Sequence, residues 1–489
     1  MIVDGSSETT LERAEQRVLS HQSELRRELG TLDVVLAQIT YIITLEFFGA
    51  ATKAGPSHAV LWLAAIGLFF VPQAIVVTYL NDRMPLEGGL YEWARIAFND
   101  GVGFLVAWNL WIYIVLLVGE YGFVLITYVA FAIGPSAASM AASKGMILVS
   151  SLLLVGVLVV VSALGLRIGK WVINAGGFMS MIALATLILL AAIRFWGKAG
   201  SASQALPLVA PPATLFSLSV FSKMTFGALC GFEFIAILAG ECRNPARTIR
   251  KSVVISAPVI AAFYVLGTSA ILAFVPANDI SLIGPVPQAL SLGLRSFGVA
   301  SVVAPVAIFL LFANVFTTGC LTFGASARLP MVAGWEGIVP AWFTRLHPKH
   351  RTPINSIFFA GVVTLVACVI ALVGVNPEEA FSLIQIWGFT LYGLAYLAMF
   401  AIPLLAGRVL GGPPNVAIKL AACSGFVVTL IFVVLSVFPV IDVPNPAAYA
   451  WKTAVVVVGV NVAGGVLYLK ARRTGVAALG GPISKPSAE

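Results

Sequence analysis

Residues Thr225–Lys251 read TFGALCGFEFIAILAGECRNPARTIRK. The stretch opens as an apolar membrane segment, but Gly227 and Gly231 lie four residues apart on one helix face and a carboxylate, Glu233, follows at once. A glycine weakens a helix by about 1 kcal/mol relative to alanine. A charge at membrane depth costs roughly 2.5–3.5 kcal/mol on insertion scales. A segment that only anchors would carry neither. Two glycines at this spacing can serve close helix packing. Glycines together with a buried Glu favour a second reading, an interrupted helix that lines a polar cavity. The apolar run ends at Gly240 and Glu241, followed by Asn244-Pro245 and the cations Arg243, Arg247, Arg250 and Lys251. Such a cluster marks a cytoplasmic exit by the positive-inside rule.

Composition points the same way. Of 489 residues, 60% are hydrophobic and 10% charged, with mean hydropathy +0.99. Soluble domains run nearer to about 25% charged. The chain is therefore expected to be a polytopic membrane protein without a sizeable soluble domain. The first 30 residues are polar and apolar sequence begins near Val34, so no cleavable leader is expected. Cys230, Cys320, Cys368 and Cys423 lie in apolar segments and Cys242 in a basic loop, a pattern without metal spacing or a disulfide framework. The net charge of +8 is spread over loops between spans, which argues for topology rather than nucleic-acid binding.

Twelve apolar stretches of bilayer-spanning length follow one another, from 33–52 to 451–470. With both termini cytoplasmic, 22 of the 29 Lys and Arg fall in inside segments; the other seven are Lys53, Lys144, Arg194, Lys198, Lys223, Arg295 and Lys452. The expected organisation is a cytoplasmic amphipathic segment at 1–30, a core of spans one to ten at 31–406, spans eleven and twelve at 407–470, and a disordered cytoplasmic tail at 471–489. In the first segment Thr9 and Glu12 have capping-box spacing and Leu11, Val18 and Leu25 recur every seventh residue. The loop 81–100, with GGLYEWARIAF, reads as a helix lying in the interface.

Span one, LDVVLAQITYIITLEFFGAATKAGP, carries a second buried acid. Glu46 stands 13 residues past Asp33, which at about 1.5 Å per residue places it near mid-membrane. Span six opens a second group of five spans as span one opens the first. Each carries an acid near a glycine, Glu46 with Gly49 and Glu233 with Gly231. Five is odd, so two such units point opposite ways across the bilayer. Paired defects in the first helix of each inverted unit point to a central transporter site. A third acid, Glu120 in LLVGEYGF, is a further candidate, as are Asn314 and Thr317. Asn174, Asn314 and Gln385 equally suit helix-to-helix bridging. No Lys or Arg is expected mid-span, so each acid carries a proton or faces a cation or water.

Three blocks resemble the amino acid–polyamine–organocation transporters: GGLYEWARIAFNDGVGFLVAWNLW at 88–111, GFEFIAILAGECRNPARTIRKSV at 231–253, and SARLPMVAGWEGIVPAWFTRLHPKHRTPINS at 326–356. The resemblance covers about 33–406. It implies an all-α integral membrane protein of the LeuT type: twelve spans, a five-plus-five inverted repeat with two C-terminal helices, and spans one and six broken around the substrate. It also implies secondary transport of amino acids, polyamines or related amines by alternating access, as symport or exchange. In many members the acid at the position of Glu233 belongs to the gating or proton-linked machinery. The chain departs from the family where span one breaks: Ile43-Thr44-Leu45-Glu46-Phe47 stands in place of a Gly-Ser/Thr-Gly run whose amides bind a carboxylate. An acid there opposes a substrate carboxylate unless protonated, and offers an amine a counter-ion.

The substrate site is accordingly expected at Thr44, Glu46, Gly231, Phe232 and Glu233, in a cell-membrane protein whose partners are a small-molecule substrate and the lipid bilayer. Two acids in one low-dielectric chamber cannot both hold charge easily, so H+ is the expected coupling ion. Adjacent hydroxyls at Thr317 and Thr318 keep Na+ as an alternative, although such threonines usually bond their own helix carbonyls. No cofactor or metal is expected. A sensor or channel on the same fold is the competing reading. An enzyme is disfavoured because the four His fall outside the spans and no nucleophile–base pair is visible.

Overall fold

A computed structural model describes residues 30–473, apart from 85–88, 165–169, 197–207, 235–244, 297–299, 333–334, 336–337, 349, 351, 408–409 and 411. The amphipathic segment and the tail expected at the two ends, and the second part of span six, lie outside the described residues.

Among the described residues ten helices are long and apolar enough to cross a bilayer, and two shorter apolar helices accompany them. In chain order these and three smaller elements are α1 (Thr31–Ile42), α2 (Phe47–Thr52), α3 (Gly55–Arg83), α4 (Leu90–Ala97), α5 (Asp100–Ile133), α6 (Lys144–Ala163), α7 (Lys170–Trp196) and α8 (Leu215–Leu229). They continue as α9 (Pro245–Phe274), α10 (Pro285–Ser296), α11 (Ala300–Val332), α12 (Ile354–Leu372), α13 (Pro377–Leu405), α14 (Val416–Leu435) and α15 (Pro446–Arg473). Side-chain oxygens set many of the starts by accepting a free amide of the first turn. Asn99 accepts from Val102 N (3.0 Å), Thr214 from Ser217 N (3.1 Å), Asn376 from Glu379 N (2.8 Å) and Asn415 from Ile418 N (2.9 Å).

Helix α5 forms the axis. Its membrane-length window is 78% buried, against 11% for α15. At about 1.5 Å per residue its 34 residues exceed a hydrocarbon layer of about 30 Å, so it crosses tilted. It packs on α13, α11, α6 and the short α4. A Cβ on Gly103 would stand 2.5 Å from Arg95 Cβ, so that glycine lets α4 lie flat against α5. Arg95 is also paired with Glu92 at 2.6 Å. The exposed faces of α6 and α15 carry Leu152, Leu153, Val157, Trp451, Val458 and Val462, the apolar surface a bilayer covers.

Contacts between helix ends sort the connections onto two faces. On one, Lys53 donates to Ala277 O (3.2 Å), Lys144 to Leu372 O (3.2 Å) and Lys452 to Val373 O (3.0 Å). On the other, Arg83 donates to Leu410 O (2.8 Å), Thr352 to Ala163 O (2.8 Å), and Arg250 pairs with Asp82.

Candidate functional site

The first apolar stretch stops being helical in its middle. Helix α1 ends at Ile42, Ile43 has ψ 87°, and α2 begins at Phe47. Interrupting a helix frees carbonyls and amides that need partners. Tyr264 of α9 supplies both: its hydroxyl donates to Ile42 O (2.7 Å) and accepts from Thr44 N (3.0 Å). Trp62 stacks on that ring at 4.9 Å and donates to Thr268 (3.0 Å), which holds the tyrosine in place.

In the sixth stretch a helix likewise stops beside a buried acid. Helix α8 ends at Leu229, Cys230 is extended, and Gly231 has φ +125°. That conformation is one L side chains rarely adopt. A Cβ at Gly231 would also meet Tyr41 and Ile42 at 3.0–3.1 Å. The freed amide Gly231 N donates to Tyr396 OH (2.7 Å). Gln73 of α3 completes the turn. With its amide nitrogen donating to Leu229 O (2.7 Å), its oxygen accepts from Gly231 N (3.1 Å), Phe232 N (3.2 Å) and Tyr396 OH (2.5 Å). Glu233, 2% exposed, is held by the hydroxyls of Tyr392 and Tyr396.

Two small cavities flank the first interruption. One, of about 40 Å³, lies between the α1–α2 gap, α5 and α11, with Tyr41, Thr44, Glu46, Tyr113, Asn314 and Thr318 in its wall. The other, of about 30 Å³, lies between α2, α8, α13 and α14, and includes Glu46, Lys223, Ser382 and Gln385. Each is room for a few waters rather than an amino acid. Glu46, 8% exposed, lines both. Its Oε1 lies 3.5 Å from Tyr128 OH. Glu120, 2% exposed, accepts at 3.4 Å from Nε2 of Gln385, which lines the second cavity together with Glu46.

The expected residues therefore separate into groups. Thr44, Glu46 and Asn314 meet at the first cavity, and Glu120 approaches from α5. Gly231 and Glu233 form a second cluster. Glu233 lines neither of these two cavities; Tyr113, in the wall of the first, stacks at 4.3 Å on Tyr392, and Tyr392 bonds Glu233. Depth along a helix does not say which way a side chain points around it. Phe232 turns away and stacks on Phe70 at 4.8 Å. Thr317 bonds its own helix at Ala313 O (2.7 Å), while Thr318 lines the cavity with a buried hydroxyl that has no partner.

One expectation is corrected. No Lys or Arg is expected mid-span, but Lys223 is inside α8 and 6% exposed, so a basic side chain does sit among the helices. Residues read only from the structure include Tyr264, Gln73, Tyr392, Tyr396 and Lys223. The row Asn314, Thr318, Thr322 lines the first cavity at i, i+4, i+8 spacing, a signal the sequence does contain.

The described residues form a bundle of membrane-length helices with buried acids beside the ends of α1 and α8. Residues 29–460 match the model of the amino acid permease family, and the chain belongs to that family, within the amino acid–polyamine–organocation superfamily of transporters. It is a transporter-family protein and not an enzyme. The probable agmatine/putrescine antiporter AguD of Lactococcus lactis is 23% identical over 77% of this chain and 78% of its own. The branched-chain amino acid permease BcaP of Bacillus subtilis is 24% identical over 78% and 82%. In fold, the chain resembles MhsT, solved with L-phenylalanine, with TM-score 0.56 and 15% identity over 84% of this chain and 98% of that one.

Proposed function

We propose that this protein is a secondary transporter that carries amino acids or related amines by alternating access, in symport or exchange with protons. In this reading the chain has twelve spans, the first and sixth interrupted, and both termini are cytoplasmic. The observation that carries it is Glu46: one buried carboxylate faces two separate cavities at the point where the first helix stops. A group so placed meets an amine arriving from either cavity. Both cavities are too small for substrate, which fits a closed state between openings.

The proton has a second site in this reading. Tyr396 has one hydroxyl proton, and it already accepts from Gly231 N. With that proton on the Gln73 oxygen, its contact with Glu233 balances only if Glu233 carries a proton of its own. A neutral Glu233 ties α8, α3 and α13 together; its ionisation leaves one of these bonds without a proton and loosens the second interruption. Proton transfer at Glu233 and amine binding at Glu46 are thereby linked through the same moving segments.

The test is uptake into proteoliposomes from a panel of the protein amino acids, agmatine and putrescine, with an imposed pH gradient and with unlabelled substrate on the far side. The expected outcome is uptake of at least one member that a pH gradient, acid outside for symport or acid inside for exchange, or trans substrate accelerates, and loss of that uptake in Glu46→Gln. Full uptake in Glu46→Gln would remove Glu46 from the mechanism. Uptake that neither the pH gradient nor trans substrate accelerates would mark a channel.

A further inference from the structure

Lys223 is the buried charge the transport reading leaves unused. Its ammonium has three donors, and among the described residues its one acceptor is Phe438 O, in the turn beyond α14. It forms none of the described ion pairs. It stands in the wall of the second cavity with Ser382 and Gln385, amid the rings of Phe389 and Phe432, and Glu46 lines that cavity too. From Lys223 to the end of α8 is six residues, about 9 Å of helix rise, so it lies well outside the interruption. Leu282 and Val440, also in the wall, belong to connections on the face of Lys53 and Lys452.

The first interruption holds an acid where a substrate carboxylate would need donors. Lys223 and the Gln385 amide supply donors in the neighbouring cavity instead. Ring-lined walls exclude water, which strengthens a charge-assisted bond made there. An acid and a base in one cavity suit a molecule that carries both charges, and the base repels a molecule with a cation at each end.

We propose that this cavity is an outer receiving site for an α-amino acid, in which Lys223 holds the carboxylate while the ammonium leads toward Glu46. The site rests on the transporter reading above and adds a preference to it: zwitterions are admitted ahead of polyamines. In the closed state Phe438 O occupies the ammonium, and widening of the cavity releases it.

The experiment measures uptake by wild type, Lys223→Met and Lys223→Arg in proteoliposomes, with probes paired by side chain: leucine with isoamylamine, and arginine with agmatine. Wild type is expected to favour the amino acid of at least one pair. Lys223→Met should raise KM for that amino acid by about tenfold, the value of one charge-assisted bond. It should leave kcat and the KM of isoamylamine in place and should not raise the KM of the dicationic agmatine, and Lys223→Arg should restore the preference. Where the methionine variant does not fold, Lys223→Gln keeps a donor for Phe438 O without the charge and gives the same readout. An unchanged preference in the neutral variants, or wild-type uptake of the amines alone, overturns the receiving site and leaves the transporter reading standing. No uptake of these four probes or of any panel member overturns both.

Discussion

Gly227 and Gly231 stand four residues apart, and the structure gives them different tasks. A Cβ on Gly227 would come within 2.0 Å of the Phe47 ring, so this glycine lets α8 cross α2 closely. That ring is itself packed edge-on to Phe389 at 4.8 Å and has little room to yield. Gly231 is the interruption, needed for its φ of +125°. Gly231→Ala is expected to cost about 1–3 kcal/mol through backbone conformation alone, seen as a lower melting temperature of the purified protein. Melting at the wild-type temperature would show that the turn adapts to a side chain. Gly227→Ala should destabilise by a similar amount, about 1–3 kcal/mol, through overpacking. A Phe47→Leu change should relieve it, and failure of that rescue would assign the cost elsewhere.

At the scale of elements, each interruption is bridged by a neighbouring helix that supplies the missing partners. Tyr264 serves the gap between α1 and α2, and Gln73 with Tyr396 serves the end of α8. Helix α3 is adapted to this. Pro72 has no N–H to give Leu68 O, and Ser424 of α14 donates to that carbonyl at 2.6 Å. Tyr264→Phe keeps the ring and removes the bridge, stranding Ile42 O and Thr44 N. Leaving buried backbone groups unpaired costs about 1–3 kcal/mol. A melting temperature equal to wild type in Tyr264→Phe would mean that water takes over the hydroxyl's role. The same variant should lose uptake of any panel substrate more than Trp62→Phe, which touches the gap only through Tyr264.

For the molecule as a whole, the bonds between helix ends define two faces, and the proposed orientation puts the Arg83 face in the cytoplasm. Lys419, in the first turn of α14, and Asp442, beyond its end, are both exposed and should lie on opposite sides of the membrane. In a background without the native cysteines, Lys419→Cys should react with an impermeant maleimide only from the cytoplasmic side. Asp442→Cys should react only from outside. Both labels from one side would refute the serpentine path through α14, and exchanged labels would reverse the orientation.

The sequence by itself determined the class. Apolar runs of bilayer length, cations gathered in alternate loops and three motif blocks sufficed for a helical membrane protein of this transporter family, because hydropathy and loop charge are properties of local sequence. It also marked Glu46, Glu120 and Glu233, since a carboxylate in an apolar run is anomalous wherever the run packs. Only the tertiary structure decided which way these groups face. Gln385 ties Glu120 to a cavity that Glu46 lines, and Glu233 bonds a tyrosine stacked against the wall of the other. Lys223, counted only among the cations outside the inside segments, became a buried basic group in a cavity wall. The physical reason is that spacing fixes a residue's depth along its own helix. Its direction around that axis, and the hydroxyl or ring it meets there, come from helices hundreds of residues away in the chain.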